Sequence, residues 1–221
     1  MQQHRHPKPF SLLPIALLFL WVSGCTLYLR AEHLQTASVA SGTKGDERWA
    51  VVRMDLDIEL CPCHSKLFGK GAARLRLVSG SSFGPTLKLN NVSRFTKCAA
   101  EVGKPVRVEM TPHQAKVRFP QPLHAGEEVD VTYEFSSGGA SSPIVLTPAC
   151  AYTGCHGNWY PEPLVGSAVA PGTTRLDVPE DWRTVANGQL TESRTEDGRR
   201  IDTWKTEVPT ARSFAAGPYS V

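Results

Sequence analysis

The amino-acid sequence predicts an all-β protein, either an antiparallel β-sandwich or a set of saddle-shaped sheets, preceded by one N-terminal membrane-directed helix. Three observations carry this expectation. Apolar and polar residues alternate with period two in segment after segment beyond residue 47. Turn-forming residues fall between those segments, in a chain with 18 Gly and 17 Pro among 221 residues. The long apolar run that suits a helix stands at the start of the chain, and no later stretch shows a capped 3.6-residue period.

That first element is read as a signal, lipoprotein or membrane-anchor segment over residues 1–30. Arg5 and Lys8 precede residues 12–29, eighteen positions without a charge, and Arg30 closes the run. Val22-Ser23-Gly24-Cys25 resembles a bacterial lipobox, in which Cys25 is acylated. An uncleaved membrane helix is the other reading, because eighteen residues at about 1.5 Å each reach roughly 27 Å, enough to span. In both readings the basic start predicts that the rest of the chain lies outside the cytoplasm, on the periplasmic or cell-surface side, with the membrane as a partner. Residues 31–47, rich in Ser, Thr, Gly and Ala without a period, read as a flexible linker.

Residues 48–221 read as the β domain. At its start Ala50, Val52, Met54, Leu56, Ile58 and Leu60 alternate with Arg53, Asp55, Asp57 and Glu59, which predicts a strand with one buried face. The alternation returns in Ala73, Leu75 and Leu77, in Val106, Val108 and Met110, and in Val129, Val131, Tyr133 and Phe135. Further strands are expected at residues 174–178, 182–186 and 200–208, with tight turns at Asn187-Gly188 and Glu196-Asp197-Gly198. Asp55, Asp57 and Glu59 share a strand face and read as a solvated surface, since no Gly-bearing calcium loop accompanies them.

Charge narrows the function. With 24 Lys+Arg against 21 Asp+Glu the net charge is +3, too small for the basic stripe that nucleic-acid binding requires, so no nucleic-acid partner is expected. No G-x-S-x-G elbow occurs among the Ser-rich stretches, so no hydrolytic triad is proposed.

The order of motifs resembles the N-terminal β domain of the aminopeptidase N family of zinc metallopeptidases. Phe68-Gly69-Lys70-Gly71 with the strand after it resembles that family's first hairpin, and Leu87-Lys88-Leu89-Asn90-Asn91-Val92 its next apolar strand. Gly126-Glu127 followed by Val129-Asp130-Val131-Thr132-Tyr133 resembles a further step. Trp159-Tyr160-Pro161-Glu162-Pro163, the segment 174–179, Trp182, Asn187-Gly188 and Phe214-Ala215-Ala216-Gly217-Pro218-Tyr219 complete the series. The resemblance implies the fold and not the activity. The family's zinc site needs H-E-x-x-H, which puts two imidazoles on the metal and a glutamate beside its water, and this sequence contains none. The G-x-M-E-N segment is likewise missing. Residues 146–157, where the family offers a Glu or Gln to the substrate amine, contain neither. No cofactor is expected in this chain, and zinc only where a catalytic domain is supplied elsewhere.

Five cysteines follow Cys25. In an exported protein a disulfide between Cys150 and Cys155 is the leading expectation, since the four residues between them read as a turn, and Cys98 is left to pair with Cys61 or Cys63. The alternative is a metal site drawn from Cys61, Cys63, His64, Cys150, Cys155 and His156, although C-x-C is not the usual zinc-knuckle spacing. The functional expectation is a membrane-tethered, non-catalytic β domain that forms the wall of a peptide groove or docks a peptidase catalytic domain or subunit, with Trp159, Tyr160, Phe214 and Tyr219 facing the partner. The alternative is an extracytoplasmic binding module for a glycan, a peptide or a protein.

Overall fold

Two strands of fourteen residues each, β1 (Arg48–Cys61) and β2 (Lys66–Ser79), form the central hairpin, joined by a 3-10 turn at Pro62–His64. The computed structural model describes residues 46–101, 106–141, 143–154 and 158–219. The expected N-terminal helix, Cys25, most of the linker, Cys155 and His156 lie outside the described residues. The chain continues through β3 (Ser81–Ser82), β4 (Thr86–Lys88), β5 (Ser93–Glu101), β6 (Arg107–Met110), β7 (Gln114–Arg118), β8 (Leu123–His124) and β9 (Glu128–Gly138). The short strands β10 (Ala140–Ser141), β11 (Ile144–Leu146), β12 (Ala151–Thr153), β13 (Glu162–Pro163) and β14 (Gly166–Ser167) follow. After them come β15 (Ala170–Pro179), β16 (Arg183–Ala186), β17 (Gln189–Glu196), β18 (Arg199–Thr210) and β19 (Phe214–Gly217). The described residues are thus all-β, as the alternation predicts, and none of their helices is long and apolar enough to cross a membrane.

The largest sheet has the order β17-β18-β15-β1-β2-β9-β5, with β14 also paired to β1. It is mixed and not purely antiparallel, because β1 runs parallel to both β14 and β15. Smaller sheets have the orders β10-β11-β12-β19-β16, β13-β4-β7-β6 and β3-β8. A single apolar cluster joins the buried face of the large sheet to the smaller ones, including Leu56, Ile58, Leu75, Val131, Leu176, Val117, Ile144 and Phe214.

Two expected alternations need correction. A register shift between Val51 and Arg53 places Trp49 and Val51 inward instead of Ala50 and Val52, and the expected phase holds from Met54 onward. Such a bulge adds a residue to one strand and reverses every side chain before it. The face of Val106, Val108 and Met110 is not buried, and Met110 is 46% exposed. These residues flank or lie on β6, an edge strand; its partner β7 supplies the core residues Ala115 and Val117.

The opposite face of the large sheet carries cross-strand ion pairs: Arg74 with Asp130 at 2.8 Å, Arg76 with Glu128 at 2.5 Å, Arg175 with Asp57 at 2.5 Å and Arg199 with Asp177 at 2.7 Å. Asp57 therefore faces a guanidinium, and Asp55 accepts hydrogen bonds from Thr173 and Arg53. These carboxylates belong to a cation-paired surface.

Candidate docking face

Of the four residues expected to face a partner, three point the other way. Trp159, Tyr160 and Phe214 are 1%, 2% and 4% exposed. Trp159 packs edge-on against Tyr160 and Phe214, with ring centroids 5.0 and 5.4 Å apart. The indole N–H donates to the Arg212 carbonyl at 2.8 Å, and the Tyr160 hydroxyl accepts the Arg212 backbone N–H at 3.3 Å. Both polar handles are thus satisfied by the backbone just before β19, which explains why these aromatics sit inside. Burial, together with the nearby Glu162, pushes the Tyr160 hydroxyl up to about 12. The exposed-aromatic basis for a binding module is removed at these positions. Tyr219 is 49% exposed.

Sequence reasoning missed the surface that the sheet builds beside them. Val145 on β11 is paired with Tyr152 on β12, Tyr152 with Ala215 on β19, and Ala215 with Val185 on β16. The four residues make one apolar row across four neighbouring strands. Tyr152 and Val185 are 48% and 59% exposed, while Val145 and Ala215 are partly buried. The flanking residues on the same strands turn inward, as Ile144, Leu146, Ala151, Phe214 and Ala216 do. The row therefore follows from the strand period: one face supplies the core, and here the other face is also apolar. Its only signal in the sequence is that Ile144-Val145-Leu146 and Phe214-Ala215-Ala216 are apolar without alternation.

The pairing expected for Cys98 is also corrected. Cys61, Cys63, Cys98 and Cys150 are free thiols. Cys98 is paired with Tyr133, Tyr133 with Gly71 and Gly71 with Leu56, whereas Cys61 is paired with Lys66, five positions further along. Five residues at about 3.3 Å each, and three strand spacings of about 4.8 Å, separate Cys98 from Cys61 by far more than a disulfide spans. Cys150 closes a turn in which Thr147 Oγ1 accepts its N–H at 3.1 Å, and residues 151–153 then run out as β12. Of the interval read as a turn, residues 151–153 form β12, and Cys155, the partner expected for Cys150, lies outside the described residues. Among the described residues no group of three or more His, Cys, Asp or Glu side chains is placed to hold a metal ion. A shallow depression between Asn187–Gln189 and Lys205–Thr210 is lined in part by Lys205 and Glu207, which pair with each other at 3.2 Å.

The architecture is the β fold found in M1 zinc metallopeptidases. The structure of the M1 zinc metallopeptidase from Deinococcus radiodurans superposes with a TM-score of 0.66 at 21% identity, covering 79% of this chain and 43% of that one. A glutamate-to-alanine mutant of it bound to a Tyr-Ser-Ala substrate gives 0.65 at 21% identity, covering 79% and 44%. A two-domain M1 zinc metallopeptidase mutant bound to L-arginine gives 0.63 at 21% identity, covering 79% and 43%. This chain therefore spans less than half the length of the solved structures it resembles. At such identity the likeness shows the fold. No protein-family model matches the sequence, and neither does any curated protein.

Proposed function

We propose that this chain is the non-catalytic β domain of a zinc metallopeptidase of the aminopeptidase N type, held on the extracytoplasmic side of a membrane by its N-terminal segment. In this reading it docks a catalytic domain and forms one wall of that domain's peptide groove. The observation that carries the proposal is the apolar row of Val145, Tyr152, Ala215 and Val185 on a sheet whose fold is that of M1 enzymes. Apolar side chains aligned across four strands and open to water favour burial against a partner. The absence of H-E-x-x-H from the sequence assigns the zinc chemistry to that partner.

Two experiments test the reading. Co-expression with the H-E-x-x-H-bearing segment encoded in the same or a neighbouring gene is expected to give a 1:1 complex in analytical ultracentrifugation. Val185→Asp, which puts a charge in the row, should weaken that complex about tenfold or more. Failure to find such a segment, or a complex indifferent to Val185→Asp, would reject the docking face. For the tether, the full chain is expected in the membrane fraction and to be released by proteolysis within residues 31–47. Full-length chain recovered in the soluble cytoplasmic fraction would reject that part.

A further inference from the structure

The β1–β2 hairpin closes on Cys61-Pro62-Cys63-His64. The two strands stay paired up to Cys61 and Lys66, and the 3-10 turn between them starts on Pro62 and ends at Ser65 in the left-handed region, φ 49. The turn thus presents two thiols two positions apart. Two residues span at most about 7 Å of backbone, which keeps the two Cα atoms near the separation a disulfide uses.

The thiols differ in their surroundings. Cys63 is exposed, and its Sγ lies 3.2 Å from Nδ1 of His64. An imidazole nitrogen at that distance is within hydrogen-bond reach of the thiol. Cys61 is partly buried and donates its S–H to Glu59 Oε1 at 3.5 Å. Burial first, and the Glu59 charge second, hold this thiol above its ordinary value. Arg199, which donates to the Leu60 carbonyl at 3.0 Å, places positive charge beside Cys61. One thiol therefore has an imidazole beside it and access to solvent, and the other is held protonated by burial and by Glu59 until it is called on.

We propose that Cys61 and Cys63 form a reversible dithiol–disulfide pair that exchanges with disulfides of other molecules. The Cys63 thiolate attacks one sulfur of a disulfide R–S–S–R′, forming the mixed disulfide Cys63–S–S–R and expelling R′S⁻, which takes the proton held by His64. Cys61 attacks the Cys63 sulfur and expels RS⁻, and the Cys61 proton passes to the departing RS⁻. Two protein S–H groups and one disulfide become one Cys61–Cys63 bridge and two small thiols, so the partner disulfide is reduced by two electrons and the pair is oxidised by two. A bridge closed around a single proline at an exposed hairpin end reopens readily with excess thiol.

The test uses the full chain, reduced, exposed to glutathione disulfide near neutral pH, alkylated and digested with trypsin. The tryptic peptide 54–66 contains Cys61 and Cys63 and no other cysteine. The expected result is loss of two hydrogens from this peptide, reversed by excess reduced glutathione. Cys61→Ser should leave a stable glutathione adduct on Cys63. Cys63→Ser should slow adduct formation in the same peptide about tenfold, and His64→Ala should slow Cys63 alkylation about fivefold. Peptide 54–66 remaining fully alkylated, or joined to a peptide holding Cys98, Cys150 or Cys155, would overturn the proposal. Mapping of the unaltered chain decides this even where a variant fails to fold.

Discussion

Gly69 and Gly71 lie opposite Phe135 and Tyr133 in the β2–β9 pairing, and each aromatic ring lies across the glycine. A Cβ at Gly69 would sit 2.3 Å from the Phe135 ring, and one at Gly71 would sit 2.3 Å from that of Tyr133. Glycine is required here by space, since a ring cannot cover a strand position that carries a side chain. Gly71→Ala is therefore expected to destabilise the domain by about 1–3 kcal/mol, read as a lower urea midpoint at unchanged slope. An unchanged midpoint would contradict this packing. The sequence shows the glycines and the aromatics but not that they meet, because the pairing joins residues more than sixty positions apart. The same limit explains the misplaced Trp159 and Tyr160. Their segment has no alternation to mark an inward face, and the backbone that satisfies them lies at Arg212.

At the scale of strands, most of what local periodicity governs was legible, and what depends on distant pairing was not. Leu75 and Leu77, and Val129 to Phe135, follow the expected phase, whereas the bulge after Val51 reverses it within one strand. The Asp197-Gly198 turn between β17 and β18 has both residues at positive φ, 51 and 72, as a tight hairpin requires. Asn187-Gly188 is no hairpin. It carries the chain from β16 in the five-stranded sheet to β17 in the eight-stranded one, and Asn187 Oδ1 accepts the Ser213 N–H at 2.6 Å where β18 gives way to β19.

The parallel β1–β15 pairing, also invisible to periodicity, is secured by Asp55. Its Oδ1 accepts the N–H and hydroxyl of Thr173 at 2.9 and 2.7 Å, and Arg53 donates to Oδ2 at 2.8 Å. Burial alone would raise the carboxyl's pKa, but the hydrogen bonds from Arg53 and Thr173 and the Arg53 charge together hold it below its ordinary value. A depressed folded pKa contributes stability that is complete above the ordinary aspartate value of about 3.9 and is lost as pH falls through the lower folded value. Asp55→Asn should thus lower the urea midpoint at pH 7 and flatten its decline below about pH 4. Parallel pH profiles for the two proteins would show that this carboxylate does not secure the pairing.

For the whole molecule, the order of motifs along residues 48–221 pointed to the M1 fold more clearly than any one motif, and the solved structures bear out that likeness at the level of fold. The apolar row proposed as a docking face was less legible, because its four residues come from four strands spread over seventy positions and become neighbours only through sheet order. The central claim is that this domain contributes a surface and no zinc chemistry of its own. The most direct measurement is hydrolysis of amino-acid anilides by the purified full chain with added zinc, alone and after addition of the H-E-x-x-H-bearing partner. The account predicts no turnover by the chain alone and zinc-dependent turnover in the complex, reduced by Val185→Asp. Turnover by the chain alone that is abolished by a chelator and restored by zinc would contradict it.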